Sequence, residues 1–160
     1  MKKTRTRFWL YLLLTLGWLI FIAMRSLKTA TQSDQESRWL LDFLNKYIPW
    51  LSMRMLRKMA HFGEFAVFGG LLTLFCLQLR RVSRVLPYLL GLLAALCDET
   101  LQLFITGRNG SLIDVWIDSA GFALFASVIL LLDRRARRKN EERAAAALPC
   151  ENASVSECST

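Results

Sequence analysis

Four long apolar blocks, at about 8–24, 57–79, 85–106 and 112–132, leave this 160-residue chain few ways to fold. At ~1.5 Å per helical residue, each block approaches or exceeds the ~30 Å hydrocarbon core of a bilayer. A soluble bundle would give every helix one polar face. Here "LLLTLGWLIFIAM" (12–24) and "FALFASVILLL" (122–132) are apolar all round, as in a helix that meets no water. With 54% hydrophobic residues and a length suited to one domain, the expectation is all-α, an integral membrane four-helix bundle.

The formal net charge of +8 would suggest nucleic acid in a soluble protein. The basic residues instead flank the apolar blocks, so membrane topology accounts for them and no nucleic-acid partner is expected. Lys2, Lys3, Arg5 and Arg7 precede block one; Arg80, Arg81 and Arg84 separate blocks two and three; Arg134, Arg135, Arg137, Arg138, Lys139 and Arg143 follow block four. The positive-inside rule puts all three groups, and hence both termini, in the cytoplasm. Residues 25–58 strain the rule, yet 13 basic residues inside still outnumber 8 outside. Arg25 follows block one directly, and removing that block would upset the parity of the spans. It is therefore read as an uncleaved anchor rather than a signal peptide. The chain divides into a basic N-terminus (1–7), a membrane domain (8–132) and a tail (133–160) that is basic and helical, then disordered. Cys76 and Cys97 lie in spans, Cys150 and Cys158 in the tail, and no spacing suggests zinc. The sequon at Asn152 is inert in a cytoplasmic tail.

Between blocks one and two, "RSLKTATQSDQES" (25–37) reads as loop. Residues 38–48 carry Trp39, Leu40, Phe43, Leu44, Tyr47 and Ile48 at helical spacing, and Pro49 ends the pattern. This is an extra amphipathic helix on the outer membrane surface, or a lid over the bundle mouth. Pro87 opens span three, Asn109-Gly110 marks a tight turn, and Ser111 with Asp114 has the form of a capping box for span four.

The polar residues inside the spans share one level. Spans two and four descend from outside and span three returns, so Lys58, His61, Glu64, Asp98, Glu99, Gln102, Asp114 and Asp118 all fall near the outer ends. At about 100° per residue, Gln102 projects between Asp98 and Glu99, with Gly91 and Ala95 below them, while Asp114, Asp118 and Gly121 share a face of span four. A charge at mid-bilayer costs ~2.5–3.5 kcal/mol, so Glu64, Asp98, Glu99 and Asp118 would together cost on the order of 10 kcal/mol if lone and central. They must lie near the interface, be protonated, pair with one another or with Lys58, His61 and Arg108, or bind something.

The same residues carry a resemblance. "RKMAHFGEFAVFGGLL" (57–72) resembles the K-x-x-H-F-x-E-[YF] segment of the VanZ family. "CDETLQLFITGRNGSLIDVWIDSAG" (97–121) resembles that family's D-E-x-x-Q-x-F-x-x-G-R-x-x-x-x-x-D-x-x-x-[DN]-x-x-G segment. Lys58, His61, Glu64, Asp98, Glu99, Gln102, Arg108, Asp114 and Asp118 fall on motif positions; Thr106, where members often have proline, and Asp118, where asparagine is common, are departures. The resemblance covers roughly 8–132 and implies a small multi-pass protein of the bacterial cell membrane. The family's founding member is associated with low-level resistance to the lipoglycopeptide teicoplanin.

Three readings of the cluster stay open. In a binding reading, Lys58, Gln102, Arg108, Asp114 and Asp118 hold an anionic lipid headgroup or lipid-linked wall precursor, and Arg108 grips phosphate or carboxylate bidentately. In an enzymatic reading, His61, Glu64, Asp98 and Glu99 are catalytic in a hydrolase or transferase acting on lipid. A divalent metal would then sit on ligands drawn from His61, Glu64, Asp98, Glu99 and Asp118, with Asp114 near. In a structural reading, Asp114 caps a helix, His61 and Glu64 bond at i, i+3, and Asp98 or Glu99 pairs with Lys58. A proton path is disfavoured, because the cytoplasmic halves of the spans offer almost no ionisable group.

Overall fold

The computed structural model describes residues 2–79, 82–108 and 110–147. Its helices are α1 (Lys2–Ser26), α2 (Ala30–Asn45), α3 (Met53–Cys76), α4 (Leu86–Gln102) and α5 (Leu112–Ala147), with no strand among the described residues. Arg80, Arg81, Asn109, Cys150, Asn152 and Cys158 lie outside them, as does the end of the tail expected to be disordered.

Three helices are long and apolar enough to cross a membrane: Arg5–Ser26 in α1, Met53–Cys76 and Leu112–Ala146. Block three yields α4, which stops at Gln102 rather than 106 and spans only ~25 Å over its 17 residues. Its last turn tightens, with Phe104 N–H bonding the Leu101 carbonyl and Ile105 N–H that of Gln102. The chain then reverses through Gly107, whose φ of 78° suits the third position of a type II turn closed by Arg108 N–H on the Ile105 carbonyl at 3.1 Å.

The stretch read as loop at 25–37 is largely helix. α2 starts at Ala30 because Thr29 and Gln32 form a capping box, each side chain bonding the other's backbone N–H. Lys28 Nζ donates to both Glu36 oxygens at 2.6 and 2.8 Å, holding that exposed carboxyl below the usual range. Trp39, Phe43 and Tyr47 stay exposed rather than folding over the bundle. Ser52 caps α3 through Met55 N–H, and Pro87 sits in the first turn of α4.

α3 and α5 form the broadest helix pair. A Cβ on Gly69 would strike the Phe122 carbonyl, and one on Gly121 the Phe62 carbonyl, so two glycines let these backbones touch. Phe65, Phe68, Phe122, Ala126, Ala95 and Ile22 close the core around that crossing. Outside it, Leu13, Ile20, Leu93 and Leu131 are exposed, an apolar exterior suited to lipid.

One end of the bundle gathers the C-terminal ends of α1 and α4 and the N-terminal ends of α3 and α5. Arg108 Nη2 reaches the Arg25 carbonyl there at 3.4 Å, and Ser111 N–H donates to Glu99 Oε1. Exposed Trp39, Tyr47, Trp50, Phe104 and Trp116 ring this end, as aromatics do at a membrane–water interface.

Candidate functional site

That end holds a cavity of about 510 Å³ lined by three helices and one connection: Arg54, Arg57, Lys58 and His61 from α3, Glu99 and Gln102 from α4, Gly107, Arg108 and Ser111 from the connecting segment, and Asp114, Ile117 and Asp118 from α5. The N-terminal ends of α3 and α5 lie at this end of the bundle, and the positive ends of their dipoles favour negative charge there.

Most charges at the rim are matched. Lys58 Nζ bonds Asp114 Oδ1, and Arg57 Nη2 bonds Asp34 Oδ1 of α2. Arg25 Nε meets Glu64 Oε1 at 2.9 Å, and Trp18 Nε1–H donates to the Glu64 carbonyl at 2.9 Å. Glu99 spends one oxygen on Ser111 N–H, and its other oxygen is buried without a partner.

Two places are not matched. The Arg108 side chain lies in the cavity wall only 8% exposed, with Nε and Nη1 unpartnered. Burial pulls its pKa below the usual guanidinium range, nearby Arg57 adds to the fall, and Asp98 opposes it. The second place is deeper. One ligand atom each from His61, Asp98 and Asp118 lie within 4.8 Å of one another, with Asp98 5% and Asp118 1% exposed. Two carboxylates at that separation, both ionised, repel by about 3–4 kcal/mol at an effective dielectric near 20. Gln102 Nε2 donates to Asp98 Oδ2 at 2.9 Å, whereas Asp118 Oδ1 and His61 Nδ1 have no hydrogen-bond partner.

Asp98 also borders a second, apolar space of about 320 Å³ between α1, α3 and α4, lined by Ile22, Phe65, Leu90, Leu93 and Ala94 among others.

A family model described as VanZ/LLP1 matches residues 8–133. The chain belongs to the VanZ/LLP1 family. No curated protein and no solved structure matches it.

In this VanZ-like membrane protein, the nine residues singled out from the sequence gather at one end, but several partners differ from those expected. Lys58 pairs with Asp114, not with Asp98 or Glu99. The capping box at Ser111 does not form, because Glu99 occupies the Ser111 N–H and Asp114 turns to Lys58; Ser111 Oγ still accepts from Ile113 N–H at 3.3 Å. His61 Nδ1 and Glu64 Oε2 are 3.9 Å apart, too far for the expected intrahelical bond. Of the proposed metal set, His61, Asp98 and Asp118 come together, while Glu64 is tied to Arg25 and Glu99 to Ser111. Arg25, Arg54, Arg57 and Asp34 were not singled out. The signal for Arg25 was its place as the first charge after block one, at the cluster's own level.

Proposed function

We propose that this VanZ-like protein binds the anionic headgroup of an envelope lipid, or of a lipid-linked wall precursor, in the polar cavity of a bacterial cell membrane. In this reading α4 crosses as a fourth span, both termini are cytoplasmic, and α2 lies on the outer surface as an extra amphipathic helix. The observation that carries the proposal is Arg108: a buried guanidinium with two unpartnered nitrogens, on a residue that lines the polar cavity. Such a cation is costly in isolation, and an oxyanion would supply charge-assisted hydrogen bonds. The helix N-termini and Arg54 add positive potential. The apolar space bordered by Asp98 is large enough to take part of an acyl chain. Occupation of this site would alter how the acylated drug teicoplanin reaches its target at the membrane, a change in susceptibility rather than drug destruction.

The test is photo-crosslinking of purified protein in vesicles containing a photoactivatable anionic phospholipid or its zwitterionic counterpart. Wild type is expected to capture the anionic probe selectively, Arg108→Ala at least tenfold less, and Arg108→Lys to fall between, since lysine keeps charge but loses the fork. Cells carrying Arg108→Ala should lose whatever teicoplanin tolerance wild type confers. Equal capture by Arg108→Ala, at equal folded protein, refutes the reading.

A further inference from the structure

We propose that His61, Asp98 and Asp118 bind one divalent transition cation at the inner end of the polar cavity. The three come from three helices, and their ligand atoms already lie within 4.8 Å of one another. Donors bonded at ~2.1 Å to a single ion lie at most ~4.2 Å apart, so the side chains need only close slightly.

Charge accounting points the same way. Each cation whose salt bridge reaches this end is committed elsewhere: Lys58 to Asp114, Arg57 to Asp34 and Arg25 to Glu64. Among the described residues no lysine or arginine forms a salt bridge with Asp98 or Asp118. Asp118 is almost fully buried with Oδ1 unpartnered, and His61 Nδ1 is likewise unpartnered. Two buried acids with no salt bridge to lysine or arginine, beside an imidazole, have the composition of a metal site.

The donor set selects the ion. One imidazole with two carboxylates suits zinc or manganese, whereas calcium takes oxygen ligands alone. Three protein ligands leave positions open, and His61 and Asp118 both line the cavity, so those positions face its contents. The surroundings resemble an outer shell: Gln102 Nε2 orients Asp98 through Oδ2, and the Glu64 carboxylate stands 3.9 Å from the His61 ring.

The experiment uses the full chain in detergent, purified without a histidine tag, stripped by chelator and titrated with zinc or manganese chloride. About one equivalent is expected to bind, with a rise in melting temperature. Asp118→Asn and His61→Gln should each weaken binding at least tenfold, and Glu36→Gln, whose carboxyl is paired with Lys28, should match wild type. Because the chain holds a single histidine, nitrogen coupling in the pulsed-EPR spectrum of manganese-loaded wild type assigns the ion to His61 even if a variant fails to fold. No uptake by wild type, bound manganese without nitrogen coupling, or undiminished binding in both folded variants would each overturn the assignment.

Discussion

At Gly121 a hydrogen atom stands where any side chain would drive into the Phe62 carbonyl of α3. Gly121→Ala should therefore force α3 and α5 apart and cost about 1–3 kcal/mol, the range for overpacking. Gly17, with nothing near it, provides the contrast: Gly17→Ala should be neutral or stabilise α1 by up to about 1 kcal/mol. Thermal unfolding in detergent, followed by circular dichroism, reads both. Gly121 was legible because it shares a helical face with Asp114 and Asp118; Gly69 was not, because its neighbour Gly70 leaves the pattern ambiguous and only packing decides which one meets α5. Side-chain partners were harder still. Glu99 bonds a backbone N–H, which carries no sequence signature, and Glu64 pairs with Arg25 across 39 residues.

Helices were legible where hydrophobic periodicity was long and lost where polar composition masked a local device. α2 is the example. Its first half is polar enough to pass for loop, yet Thr29 and Gln32 stand at S/T-x-x-E/Q spacing, the sign of a helix start. The device predicts its own test. Thr29→Ala removes the hydroxyl that accepts Gln32 N–H, a loss of about 1 kcal/mol at an N-cap. Amide hydrogen exchange over the first turn of α2 should then quicken about fivefold, with α3 unchanged. α4 shows the opposite error. Its apolar run continues through Phe104 and Ile105, but the backbone leaves the helix at Leu103 to reach the Gly107 turn, which brings Arg108 back over the cavity.

For the whole molecule, direction alternates so that every ionisable group of the site meets at one end, and the depth reading from sequence anticipated that level. It could not assign angular neighbours, which depend on how closely the helices cross. Topology supplies a global check. A fluorescent protein that folds only in the cytoplasm, fused after Ala146, should glow. Alkaline phosphatase, active only after export, should report when fused after Gly110. The reverse pattern would mean that the cavity opens inward. If α4 fails to cross, the two termini will lie on opposite sides of the membrane.

The uninterrupted length of α5 has a further consequence. Asp114 and Arg134 are 20 positions apart on one helix, or ~30 Å, the thickness of an average hydrocarbon layer. With Arg134 and Arg135 held among phosphates on one face, a bilayer with longer acyl chains would draw the polar cavity down among methylenes, and one with shorter chains would lift it into water. If the cavity binds as proposed, lipid chain length becomes a dial on its occupancy, set by the host membrane rather than by any residue of the protein.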